Sequence, residues 1–157
     1  MVERGFHGQP VCGVIAAAAQ AGTLMGLSST MIASAMGIAG SYAGGLMQFM
    51  EEPADTKRFH FGKSASDGIT AAQLAANGFR GPKSVLEGKK GLLNAVAGEW
   101  VESKLTADLG VSYHVMSAFL KPIPTMGGNM GAYEALCLIM EKHGLAADDL
   151  VTITAEL

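Results

Sequence analysis

The sequence predicts a mainly α-helical protein, and three observations carry that reading. No Asp, Glu, Lys or Arg occurs between Arg4 and Glu51, and Gly5 to Met50 is rich in Ala, Gly, Ser and Met. A segment with so little to hold it in water must be buried, as a layer of packed helices. Helix start and stop residues recur at helical spacing through the first 110 or so residues. Beyond them the texture changes, so 1–110 reads as a helical domain and 111–157 as strand–helix–strand.

Each element has a local cause. Pro10 suits a first helical turn, so Cys12 to Met25 reads as a helix that Gly26 stops. Ser28 or Ser29 can cap a second helix, Thr30 to Ile38. Gly40, Gly44 and Gly45 predict a break or a close contact near Ser41-Tyr42. Leu46 to Met50 reads as a short turn and Glu51-Glu52-Pro53 as a loop. Ser64 to Ala76 reads as helix, ended by Asn77-Gly78. Gly81-Pro82 opens another turn, with short helices over Lys83 to Leu86, Leu92 to Ala97 and Trp100 to Leu109. Tyr113 to Leu120 reads as extended, and Lys121-Pro122-Ile123-Pro124 cannot be helix interior. Asn129 can cap a helix from Gly131 to His143, closed by Gly144. Alternation of Val151, Ile153 and Ala155 with Thr152, Thr154 and Glu156 predicts a final strand over Leu150 to Glu156. A strand at that position needs a neighbour.

Bulk properties narrow the function classes. The chain has 157 residues, enough for a domain with a real core. Only 16% of residues are charged, against a typical share of about 25%. So apolar a surface is expected to be covered by a partner. A net charge of −3 argues against a general nucleic-acid binder. Two cysteines, Cys12 and Cys137, match no metal or redox spacing, and a reducing, cytoplasmic setting is expected. Glu3 and Arg4 are followed by no apolar run, so no signal peptide is read there. The charge-free stretch is interrupted by Gln9, Pro10, Gln20, Ser28-Ser29-Thr30 and Gln48, which excludes a strongly apolar membrane span.

Directly after the charge-free stretch comes a basic cluster, Asp55-Thr56-Lys57-Arg58-Phe59-His60-Phe61-Gly62-Lys63. Cations at the edge of a buried helical layer suit a small acidic ligand. Lys57, Arg58 and Lys121 could neutralise carboxylates, Arg58 with a two-pronged contact. A neutralised carboxylate makes its α-proton easier to remove, because the developing enolate is stabilised. His7 and His60 have the ordinary pKa, about 6.5, that suits moving this proton. Ser41 and Gln48 could donate hydrogen bonds to a ligand. Plainer roles stand beside these: a capping or solvated His7, a surface charge pair at Lys57 and Arg58, a structural His60, and core packing for Ser41 and Gln48. Lys121 is held by a stiff Pro-Ile-Pro loop.

Gly5-Phe6-His7, Thr56-Lys57-Arg58-Phe59-His60, Lys63 and Lys121-Pro122-Ile123-Pro124 together resemble the MmgE/PrpD family. That family includes 2-methylcitrate dehydratase, cis-aconitate decarboxylase and iminodisuccinate epimerase. The likeness continues through Ala35-Met36-Gly37-Ile38-Ala39-Gly40-Ser41, Gly45-Leu46-Met47-Gln48-Phe49 and Val85-Leu86-Glu87-Gly88. The resemblance implies a helical-bundle domain, here over 1–110, followed by the start of an α+β lid domain over 111–157. It implies an active site between them that uses no metal and no organic cofactor, in a protein that dimerises. It places the family's Gly-aromatic-His motif on His7, its Lys-Arg-x-His motif on Lys57 and His60, and its Lys-Pro-x-Pro motif on Lys121.

Two departures qualify the likeness. The chain corresponds to the middle of a family member, so an upstream helical segment supplying an Asp and a His, the rest of the lid and the C-terminal helices are expected from elsewhere. Met126 stands five residues after Lys121, where the decarboxylase branch is expected to have His, which counts against decarboxylation of cis-aconitate. The reading is therefore a lyase or isomerase, 2-methylcitrate dehydratase-like, acting on a small di- or tricarboxylate by proton abstraction next to a carboxylate. It would work as a subunit or piece of a longer enzyme. The alternative is a non-catalytic scaffold or regulatory subunit that retains an anion pocket. Either way a homo-oligomer, or a hetero-complex with a chain supplying the other segments, is expected, with no nucleic acid and no membrane as partner.

Overall fold

The computed structural model describes residues 1–155, and among these five α-helices form: α1 (Gly8–Leu24), α2 (Ser29–Ala39), α3 (Thr56–Ala76), α4 (Leu92–Val96) and α5 (Met130–His143). Short 3-10 turns connect them, and no strand forms among the described residues. The only strand-like pairing there is an isolated antiparallel bridge between Phe6 and Leu46.

The chain divides into two compact units, Met1–Ala107 and Asp108–Leu157. In the first unit α1, α2 and α3 pack on one another. On α1 the buried residues Val11, Val14, Ile15, Ala18 and Gly22 recur every three or four positions, the stripe a packed helix face requires. Ala35, Ile38 and Ala39 of α2, Ala71, Ala72 and Ala75 of α3, and Leu92 and Val96 of α4 complete the core. Mostly small side chains bring the helix backbones close. At Gly68 of α3 a Cβ would sit 2.5 Å from the Ala17 Cβ and 2.7 Å from the Ala18 backbone nitrogen, so only glycine fits this crossing.

Local signals account for most of the helix ends. The Ser28 hydroxyl accepts from the Met31 N–H and caps α2. Gly26, Gly78 and Gly144 adopt positive φ just after α1, α3 and α5. The start of α3 differs from expectation: the helix begins at Thr56, not at Ser64, so the basic cluster is its first two turns. Arg58 pairs with Asp55 at the N-cap position, setting a carboxylate at the end where the helix dipole favours one. Lys83 to Leu86 forms turns, and Trp100 to Leu109 contains only a 3-10 turn, Glu102–Leu105.

The second unit is built around α5, with Asn129 at its N-cap position and Gly144 at its C-cap. The strands expected here do not form. Tyr113 to Leu120 holds a 3-10 turn at His114–Ser117, and 150–155 is irregular; Glu156 lies outside the described residues. A strand must pair its backbone groups with a neighbour, and none of the described residues offers these segments one. The expected lid therefore has, among the described residues, helix and turns only. No residue described in this unit is buried, and Leu120 and Val151 are 96% and 97% exposed. No helix among the described residues is long and apolar enough to cross a membrane.

Candidate active site around paired histidines

His7 occupies the N-cap position of α1, and backbone bonds fix it there. Its N–H donates to the Gly45 carbonyl at 2.9 Å, and the Met47 N–H donates to the Gly5 carbonyl at 2.8 Å. Gly45 has φ +126°, and a Cβ there would lie 3.3 Å from both the His60 Nδ1 and the Pro10 ring, so glycine is required twice over. This clamp presses Gly5-Phe6-His7 onto the loop that follows α2.

His60 comes from the second turn of α3. Its Nδ1 lies 3.1 Å from the His7 Nδ1. Phe49 and Phe61 stand edge-on to the His7 ring, with centroids 5.1 and 5.4 Å away. His7 is 5% exposed and His60 is half-buried. The Lys57 ammonium, one helical turn before Phe61, lies 5.8 Å from the Phe49 ring centroid. Starting α3 at Thr56 puts Lys57, His60, Phe61 and Ser64 at helical i, i+3, i+4 and i+7 positions, on one face.

Burial pushes the His7 pKa down, and the neighbouring His60 and Lys57 add to the effect. His7 is therefore a neutral imidazole at neutral pH. A neutral ring beside a cation can hold or pass a proton while the cation holds an anionic group.

Beside the pair lies a cavity of about 260 Å³, lined by Tyr42, Gly45, Phe59, His60, Lys63 and Asp67 among others. Lys63 forms an ion pair with the buried Asp67 and lies 5.7 Å from the Tyr42 ring centroid. That pairing ties Lys63 to its own helix.

The remaining sequence candidates fall elsewhere. Arg58 is exposed and bound to Asp55. Ser41 lines a separate cavity of about 520 Å³ with Ser84, Lys89 and Lys90. Gln48 is exposed and lines a third, with Glu3 and Glu51. Lys121 belongs to the second unit, where its ammonium donates to the Thr125 carbonyl at 2.7 Å and closes the Lys-Pro-Ile-Pro loop. Met126, exposed, directly precedes a 3-10 turn in the same unit. Among the described residues no group of three His, Cys, Asp or Glu side chains forms a metal cage. Sequence reasoning missed Phe49, Phe61 and Gly45 as parts of the site. The i, i+4 spacing of Lys57 and Phe61 would have revealed Phe61, had α3 been started at Thr56.

Comparison with known proteins gives the family of the chain. The MmgE/PrpD N-terminal domain matches residues 1–102. The cis-aconitate decarboxylase-like protein oryM of Aspergillus oryzae is 34% identical over 143 residues, covering 87% of this chain and 30% of that protein. Human cis-aconitate decarboxylase is 43% identical over 82 residues, covering 52% of this chain and 17% of its own. The cis-aconitate decarboxylase of Aspergillus terreus is 29% identical over 150 residues, covering 91% and 30%. The chain thus spans about 30% of the length of the relatives matched along most of it. With its helical domain matched over 102 of 157 residues, the protein belongs to the MmgE/PrpD family.

Proposed function

We propose that this chain is part of a lyase or isomerase that removes a proton next to a carboxylate of a small di- or tricarboxylate. The observation that carries this reading is the contact between a neutral, buried His7 and His60, beside the Lys57 ammonium. Lys57 attracts a substrate carboxylate, and the imidazole pair takes the adjacent C–H proton as the carboxylate develops enolate character. Lys121, and Arg58 where a second carboxylate reaches it, supply further positive charge. Ser41 and Gln48, which line other cavities, have no part in the proton step.

Proton removal of this kind begins dehydration, decarboxylation and epimerisation alike. Met126, in place of an expected His, favours a 2-methylcitrate dehydratase-like reaction. The names of the matched relatives put cis-aconitate beside 2-methylcitrate as a substrate to assay. The working site is completed by segments beyond this one, in an oligomer or a hetero-complex, in a reducing cytoplasmic setting.

The test is solvent exchange. The full chain, alone and in the complex isolated with it, is incubated with each acid in D2O. Deuterium next to a carboxylate is expected, and His7→Ala, Lys57→Ala or Lys121→Ala should each slow it about 100-fold or more. Unchanged exchange in all three variants would overturn the assigned roles. The apolar exposure of the second unit favours one other reading, a scaffold or regulatory subunit with an anion pocket. It would bind these acids and exchange no deuterium.

A further inference from the structure

The contact between the two histidines restricts how protons can be placed on them. Two Nδ1 atoms 3.1 Å apart form a hydrogen bond only if one carries a proton and the other a lone pair. Two bare nitrogens would repel, and two N–H groups would point at each other. The uncharged pair must therefore contain one ring protonated at Nδ1 and one protonated at Nε2. The first has a bare Nε2 and can accept a proton there; the second presents an Nε2–H donor.

The surroundings decide which ring is which. When the pair holds one extra proton, the charge settles on the ring that donates through Nδ1. His7 is 5% exposed and walled by Phe49 and Phe61, whereas His60 is half-buried and lines the 260 Å³ cavity. A charge costs more on the drier ring. The charged and titratable groups facing the pair are Lys57 in the first turn of α3, Lys63 and Asp67 further along it, and Tyr42 after α2. Lys63 and Asp67 neutralise each other, which leaves Lys57 as the uncompensated charge, and it acts against a positive His7.

We infer that His7 and His60 form a single-proton unit in which His60 donates its Nδ1–H to His7 and exposes the bare Nε2 to the cavity, while His7 stays neutral as the Nε2–H form. His60 is then the proton-accepting group and His7 its positioning partner. A proton leaving a substrate carbon bonds to the His60 Nε2, the C–H electron pair remains on the carbon as enolate, and the Nδ1–H to Nδ1 bond holds the resulting imidazolium. This division of labour assumes the proton-transfer function proposed above; the tautomers themselves do not depend on it.

Two-bond proton–nitrogen NMR on the full chain with 15N-labelled histidine tests the pair directly. At pH 7.5 the His60 ring is expected as the Nδ1–H tautomer and His7 as the Nε2–H tautomer. On acidification the first proton taken up by the pair is expected to leave His7 in the neutral Nε2–H form. In His60→Ala the His7 tautomer preference should relax and its pKa should rise. In His60→Asn, whose amide N–H replaces the lost donor, His7 should keep the Nε2–H form. Two Nε2–H rings in the unmodified protein would overturn the inference, and so would a His7 that takes up its proton before His60. That spectrum decides the matter even if the variants fail to fold. Tautomers as expected without any deuterium exchange would overturn the proposed function and leave the pair standing.

Discussion

His7 makes the stability of this protein depend on pH through one buried ring. In the unfolded chain its pKa is the ordinary value of about 6.5, and in the folded chain burial, His60 and Lys57 hold it lower. Between the two values the unfolded state binds more protons, so stability falls as pH falls. The contribution is complete above about 6.5 and is lost as pH drops through the folded value. The urea midpoint is expected to stay level between pH 7 and 8 and to decline below 6.5, with a shallower decline in His7→Gln. A midpoint that rises on acidification would contradict the burial of His7. The chemical types at this scale were legible in the sequence, because Lys and His in a charge-poor chain stand out. Their partners were not. Nothing local to His7 announces Phe49 or His60, which the fold brings in from more than 40 residues away.

At the scale of elements, α3 carries an internal control. Gly68 lies where α3 crosses α1 within contact of the Ala17 Cβ, while a Cβ at Gly62 of the same helix would meet nothing within 4 Å. Gly68→Ala should destabilise by about 1–3 kcal/mol through overpacking. Gly62→Ala should stabilise by about 0.5–1 kcal/mol, because glycine costs entropy in a helix. Thermal melts of the two variants check the pair, and shifts of the same sign would show that the crossing is looser than described. Helices with their own punctuation, such as Pro10 in the first turn of α1, Ser28 before α2 and Gly144 after α5, could be read from the chain. The start of α3 could not, since Lys57 and Arg58 are poor first-turn residues beside a helix dipole and Asp55 offsets them only in three dimensions. The alternation over 151–156 suggested a strand for a similar reason. Pattern shows which faces a strand would have, whereas pairing depends on a neighbour.

For the whole molecule, exposed apolar surface is the dominant fact. Val111, Val115, Met116, Leu120 and Val151 are all exposed, and on the first unit Leu24, Phe59 and Phe79 join them. Scattered apolar side chains are ordinary on a monomer, but so many on so short a chain are what the proposed oligomer or hetero-complex would require. Light scattering is expected to give a mass well above the 16.2 kDa of one chain. A monodisperse monomer would show that the surface is free. The low charge content points to this exposure from composition alone, whereas what would cover the surface is not encoded in composition.

The bridge between Phe6 and Leu46 also governs the order in which the site can assemble. It joins the start of the chain to a loop about 40 residues later, with α1 and α2 wholly inside the closed segment. Closing such a loop costs roughly 3 kcal/mol of chain entropy, which no contact local to Gly5-Phe6-His7 returns. Docking of the helices brings the two ends together, so the meeting of His7 and His60 is expected late in folding. Amide hydrogen exchange tests this: the Met47 N–H, bonded to the Gly5 carbonyl, is expected to exchange no more slowly than the buried amides of α1 and α3.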